Sequence, residues 1–187
     1  MTGRHAAIFA VAIVLTTTCA GCHSPAPAAA AQASAPSANH EALEARIKAL
    51  ESLLPSQSHL MADVGDHFAN LWFAGKAENW PLADFYLGET RSHLHWAVRR
   101  IPVRKDNKGR DVNLVGILEA FENSQIKELK KVIDQKDTAG FERVYRESLT
   151  MCYSCHKAAD KPYLKPQVPV EPPSRIINFD PKAGWPL

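Results

Sequence analysis

The sequence predicts an all-α protein, a four-helix bundle with an additional short N-terminal helix and an extended Pro-rich C-terminal tail. Three observations lead there. Apolar residues recur every three to four positions through four successive stretches, no stretch alternates as a half-buried strand would, and Pro, Asn and Asp stand where helices would start and stop. A length of 187 residues suits one ordinary core with appendages rather than two full domains. With 22 basic and 20 acidic side chains, bulk charge points neither to nucleic acid nor to an anionic membrane surface.

Residues 1–22 have the tripartite form of an export signal. Arg4 and His5 supply a basic start, Ala6 to Leu15 an apolar run, and Thr16 to Thr18 a polar step into Cys19-Ala20-Gly21-Cys22. The run is shorter than the roughly 20 residues of a comfortable transmembrane helix. Small residues directly before a cysteine resemble the lipobox of bacterial lipoproteins, which implies cleavage before Cys22 and acylation of that residue. Cys19, preceded by three threonines, matches less well, and the usual leucine three positions before the cysteine is missing for both. Ordinary signal cleavage near the Ala-rich stretch is the alternative. Residues 23–39, rich in Pro, Ala and Ser, bury too little to fold and read as a tether.

Residues 40–57 read as a short amphipathic helix, with Leu43, Ile47, Leu50 and Leu54 on one stripe before Pro55. Arg46-Ile47-Lys48-Ala49-Leu50-Glu51 resembles the pattern of short trimeric coiled coils, so a homotrimer through 43–54 is one expectation for oligomeric state and a bundle dimer another. A stripe of about two heptads is marginal alone, which favours a helix packed on its own domain.

Residues 58–159 carry the main body. A first helix from about Ser58 to Lys76 sets Leu60, Val64, His67 and Leu71 on one seam, with Met61, Phe68 and Trp72 beside it. Asn79 caps a second, with Pro81 just inside and Leu87, Leu94, Val98 and Ile101 along its stripe to Pro102. Val103 to Arg110 reads as a charged loop. A third helix from about Val112 to Lys136 shows Leu114, Leu118, Phe121, Leu129, Val132 and Ile133, and Asp137 caps a fourth along Phe141, Val144, Tyr145, Leu149, Cys152 and His156. Residues 160–187 are too rich in proline for a helix, but Ile176, Ile177, Phe179 and Trp185 are apolar enough to lie on the body.

Of the four cysteines, two lie in or at the end of the signal, and the others, Cys152 and Cys155, are three residues apart and directly precede His156. Cys-x-x-Cys-His gives each member a separate task. Two cysteines one helical turn apart form thioethers to the two vinyl groups of one porphyrin, and His156, four after Cys152, reaches the iron from the same face. Tyr153 and Ser154 between them are permissive. A thioredoxin-like pair would need a βαβ context, and zinc two further ligands at comparable spacing. Export favours haem independently. The expected cofactor is therefore one covalent haem c, with His156 as proximal iron ligand.

A haem motif near the end of the last helix of an all-α bundle resembles cytochrome c′ and its low-spin relatives, over about Ser58 to Ala159. The segment Leu71-Trp72-Phe73-Ala74-Gly75-Lys76-Ala77-Glu78-Asn79-Trp80-Pro81-Leu82-Ala83 also resembles exported bacterial haem proteins. The resemblance implies that the first bundle helix faces the distal side, where Met61, Val64, His67 and Phe68 are candidates, with His67 or Met61 as distal ligand or an open site. The long tail and the N-terminal helix depart from a minimal bundle of that kind. His93 reads as paired with Glu89, and His95 as solvated beside Arg91 and Arg99. Trp72, Phe73, Trp80, Phe85, Tyr86 and Trp96 read as core packing. Arg99, Arg100, Arg104, Lys105, Lys108 and Arg110 form a basic loop available to an acidic redox partner or to haem propionates.

These readings converge on an electron-transfer cytochrome, not an enzyme, held by lipid at Cys22 on the periplasmic side of a bacterial membrane and served by a redox partner protein. A gas-binding, five-coordinate haem protein of the cytochrome c′ type is the alternative. A peroxidase, which would use His67 with Asp66 or Glu89 as an acid/base pair, is the second.

Overall fold

In a computed structural model, residues 35–184 are described. The signal, Cys22 and most of the tether lie outside them, as does Trp185. The chain divides into two units, Met1–Ser52 and Leu53–Leu187. Helix α1, Ala35–Leu53, begins five residues before the expected His40. Alanine has the highest helix propensity, which composition-based reading of a tether underweights.

The second unit is mostly helical. Helix α2 (Gln57–Lys76) is opened by Ser56, whose hydroxyl accepts from His59 N–H, and α3 (Trp80–Arg100) by Asn79, whose side-chain oxygen accepts from Leu82 N–H. The turn between them is tight because Glu78 adopts a left-handed φ of 57° while Asn79 N–H reaches back to Ala74 C=O at 2.9 Å. Lys136 and Asp160 repeat this closure at φ 55° and 56°, with Asp137 N–H on Val132 C=O and Lys161 N–H on His156 C=O. Glycine is the usual residue at such positions; here three charged residues occupy them.

The segment expected as a charged loop is a hairpin. Strand β1 (Val103–Lys105) pairs antiparallel with β2 (Asp111–Asn113). Its turn is organised by Asp106, whose carboxylate accepts from the Lys108 and Arg110 N–H groups, and by Gly109 at φ 76°. Val112 therefore belongs to a strand, and the third helix starts at Leu114 with Asn113 as its cap. That helix is continuous but not uniform. Helix α4 (Leu114–Phe121) passes through one π-helical turn, Glu122–Ile126, into α5 (Lys127–Asp134). The wide turn inserts a residue into the repeat, so both Phe121 and Ile126 reach the core. Helix α6 (Thr138–Ala158) follows the Asp137 cap.

The core joins Phe68, Leu71 and Trp72 of α2, Tyr86 and Leu87 of α3, Phe121, Ile126 and Leu129 of the central run, and Phe141, Val144 and Tyr145 of α6. Tyr145 stacks on Phe68 at 4.4 Å and donates its hydroxyl to Phe68 C=O at 2.9 Å. The buried hydroxyls of Thr90 and Ser148 satisfy themselves on the carbonyls four residues earlier. Two of the expected core aromatics lie elsewhere: Phe85 and Trp96 are 56% and 53% exposed, on the opposite face of α3 from Tyr86 and Leu87. The tail lies on the body, held by Val168 and Phe179 against the core and by Asn79 Nδ2 donating to Phe179 C=O, while Ile176 and Ile177 are exposed. Among the described residues no helix is long and apolar enough to cross a membrane.

Helices α2 and α6 pack tightly at Gly75, where an added Cβ would sit 2.2 Å from the Phe141 ring. Replacing Gly75 by Ala gains about 1 kcal/mol of helix propensity, but Phe141 is fully buried and cannot turn aside. Overpacking of about 1–3 kcal/mol is expected to win, so Gly75→Ala should lower the thermal unfolding midpoint measured by circular dichroism.

Candidate functional site

Helix α6 carries Cys152, Cys155 and His156 on its last two turns. Both thiols are free, and Cys152 packs against the core. Burial, assisted by the neighbouring Cys155, pushes the Cys152 thiol up to about 12, and burial also raises Cys155. At neutral pH both are protonated thiols, unlike the activated thiolate of a redox pair.

The histidine is oriented by the tail. His156 Nδ1 lies 2.8 Å from Leu164 C=O. A carbonyl only accepts, so Nδ1 carries the proton and Nε2 keeps its lone pair. This is the arrangement by which metal-bound histidines are usually fixed in tautomer and direction. Residues 161–164 are positioned for it by the left-handed turn at Asp160, by Lys161 N–H on His156 C=O, and by Tyr153, whose hydroxyl donates to Pro162 C=O at 3.1 Å. The donor set therefore fits haem c: two reduced thiols one turn apart and an imidazole with a free Nε2. The sole grouping of three metal-ligating side chains among the described residues, His67, Glu89 and His93, takes none from this turn.

Other parts of the chain converge on the same end. Gln57 at the start of α2 donates to Ala97 C=O at the end of α3, Arg104 of β1 donates to Gln57, and Asn107 N–H at the hairpin tip donates to the Asp160 carboxylate. The basic loop is thereby tied beside the end of α6, although Lys105 is paired with Asp111 and Arg110 with Asp106.

The distal candidates separate. Val64 and Phe68 are buried, and Phe68 is committed to Tyr145. Helix α2 runs antiparallel to α6, with Gly75 against Phe141 and Phe68 against Tyr145, so half-buried Met61 lies toward the α6 end that bears the cysteines. His67 is directed at α3: its ring centroid is 4.7 Å from that of His93 and 6.1 Å from that of Tyr86, and its Nε2 is 4.0 Å from Glu89. Burial, then the neighbouring His93, hold His67 below its ordinary 6.5 against Glu89, Asp63 and Asp66, so the ring is neutral at pH 7. His93 Nδ1 donates to Glu89 C=O at 3.0 Å, and its Nε2 faces Asp63 at 3.9 Å. His95 is 40% exposed, as expected, but it is also paired. Its Nε2 lies 2.9 Å from Glu122, which Arg91 also contacts at 3.0 Å.

The chain matches no family model, no curated protein and no solved structure at a significant level. Its site is therefore defined by its own geometry. Leu164 and Asp63 carry no sequence signal of their roles, the first because it acts through its backbone and the second because its partner is on another helix.

Glu122 offers a test of the packing around His95. Burial alone would raise its carboxyl, but Arg91 and His95 outweigh burial and hold it below its ordinary 4.5. A carboxyl depressed in the folded state stabilises the fold above the unfolded-state value, and that contribution fades as pH falls through the folded-state value. Glu122→Gln should cost about 1–3 kcal/mol at pH 7, and urea titrations should find the gap to wild type closing as the pH is taken below 4.5.

Proposed function

We propose that the chain is an exported monohaem c-type cytochrome that carries electrons on the periplasmic side of a bacterial membrane. One observation carries this reading: Cys152, Cys155 and His156 stand on the last turns of α6 with His156 Nδ1 held on Leu164 C=O, leaving Nε2 to ligate iron. Bound haem would supply a one-electron ferric/ferrous couple. The chain's own work is to hold it. Cys152 and Cys155 anchor the porphyrin edge through thioethers, His156 directs the proximal nitrogen, and the apolar residues around Cys152 exclude water from one face.

In this reading α2, α3, the α4–α5 run and α6 form a four-helix bundle, as in the cytochrome c′-like proteins the chain resembles. The signal-like segment delivers it across the membrane, and acylation at Cys22 tethers it there. The basic hairpin beside the end of α6 offers a docking face to an acidic redox partner, since Lys108 extends from its tip. Met61 is the favoured sixth ligand, because it lies toward the cysteine-bearing end of α6 while His67 is directed at Glu89 and His93 on α3.

The protein should be produced in a bacterial host with a c-type maturation system. Wild type is expected to carry one haem per chain that survives denaturing electrophoresis, and Cys152→Ala/Cys155→Ala to lose it; an unstained wild-type band would remove the reading. Met61→Ala should change the ferrous optical spectrum and permit rapid carbon monoxide binding, and His67→Ala should leave the spectrum as in wild type. Rapid carbon monoxide binding by wild type would instead favour the five-coordinate, gas-binding alternative.

A further inference from the structure

Away from the cysteine turn, α2 and α3 each present a carboxylate and a histidine one turn apart: Asp63 with His67, and Glu89 with His93. The antiparallel helices set these pairs head to tail. His67 Nε2 faces Glu89 Oε2 at 4.0 Å, and His93 Nε2 faces Asp63 Oδ2 at 3.9 Å. Neither contact is a hydrogen bond, since both exceed the usual limit of about 3.2 Å. His67, His93 and Glu89 thus bring their ligand atoms within 4.8 Å of one another without closing, and Asp63 stands beside His93. We infer that this group is a second metal site, taking a divalent first-row transition ion of the zinc type through His67, His93 and Glu89.

The donor chemistry fits. Mixed imidazole and carboxylate ligands suit zinc and its neighbours, at bonds of about 2.0–2.2 Å. Tetrahedral donors then lie about 3.3 Å apart, so ligand atoms that now lie within 4.8 Å of one another need to close by up to about 1.5 Å, within the reach of side-chain rotation. His93 is already prepared: its Nδ1–H is spent on Glu89 C=O at 3.0 Å, leaving Nε2 as donor.

A separate observation points the same way. Two buried polar atoms among the described residues lack any partner, His67 Nδ1 and Asn70 Oδ1. Both residues line a cleft of about 330 Å³ with Asp66, Tyr86 and the tail residues Pro173 and Ser174. Asn70 is 4% exposed, and an acceptor buried so deeply is normally satisfied. With an ion on His67 Nε2 the ring proton must sit on Nδ1, which makes it a donor on the same helix face as the unpaired Asn70 oxygen, and a water between them would then satisfy both. The site is independent of haem and of the reading of Cys152, Cys155 and His156.

The test is calorimetric titration of the purified full-length protein, haem content as isolated, with Zn²⁺ after chelator treatment and dialysis. One equivalent should bind saturably. His67→Ala and His93→Ala should each weaken that step at least about tenfold, Glu89→Gln should weaken it less, and His95→Ala, whose ring is on Glu122 and outside the group, should bind as wild type does. Circular dichroism of each variant establishes that it is folded, and Glu89→Gln retains size and hydrogen bonding should a histidine variant fail to fold. Absence of a saturable step in wild type would overturn the inference, as would a step that persists in folded His67→Ala and His93→Ala or that His95→Ala removes.

Discussion

The fold depends on the burial of one phenol. Tyr145 is almost fully enclosed, stacks on Phe68, touches Trp72 and Phe141, and donates its hydroxyl to the Phe68 carbonyl. Burial pushes that phenol far above its ordinary value, so it remains a donor throughout the physiological range. A carbonyl within α2 already accepts from its own helix, and the added bond uses its second lone pair. The contact therefore joins α2 to α6 by packing and direction together, and fixes how far along α6 the helix α2 is set. Everything that α6 presents beyond Tyr145, including Cys152, inherits that position.

The helices were legible because their ends and stripes were. Asn79 and Asp137 cap where the sequence expects, and Leu71, Leu87, Leu129 and Val144 are buried as their spacing predicts. The hairpin was missed because its residues are charged and its strands only three residues long, although Asp106 and Gly109 carry the turn signal. The π-helical turn has no periodic signature, since it is the interruption of a period. Phe85 and Trp96 were misplaced by residue type: large aromatics suggest a core, yet their positions on α3 point away from it.

The site divides along the same line. Cys152, Cys155 and His156 could be singled out because Cys-x-x-Cys-His is a pattern of adjacent residues. The carbonyl that orients His156 comes from Leu164, whose side chain is irrelevant to the bond, so no residue-type pattern could identify it. His67 was recognised as unusual on its apolar seam, but its neighbours are on α3, and the pairing of Asp63 with His93 and of Glu89 with His67 exists only once the helices are antiparallel. Local spacing showed Glu89 with His93; the matching pair of Asp63 and His67 gains its meaning only from the convergence of the two helices, which is tertiary.

The tail is a single strap that serves two distant places. Its first residues place the Leu164 carbonyl on His156, its middle roofs the cleft over His67 and Asn70 with Pro173 and Ser174, and Phe179 clamps its far end to the core. Between Ser174 and Phe179 it is exposed, with Ile176 92% accessible. A single proteolytic nick there would free the clamp from everything before it. The cleft would be left with a loose end, while Val168 against the core and Tyr153 on Pro162 would still hold the stretch that supports His156. In a compartment rich in proteases, cleavage at one exposed stretch would thus loosen the cleft beside His67 without touching a residue that lines it.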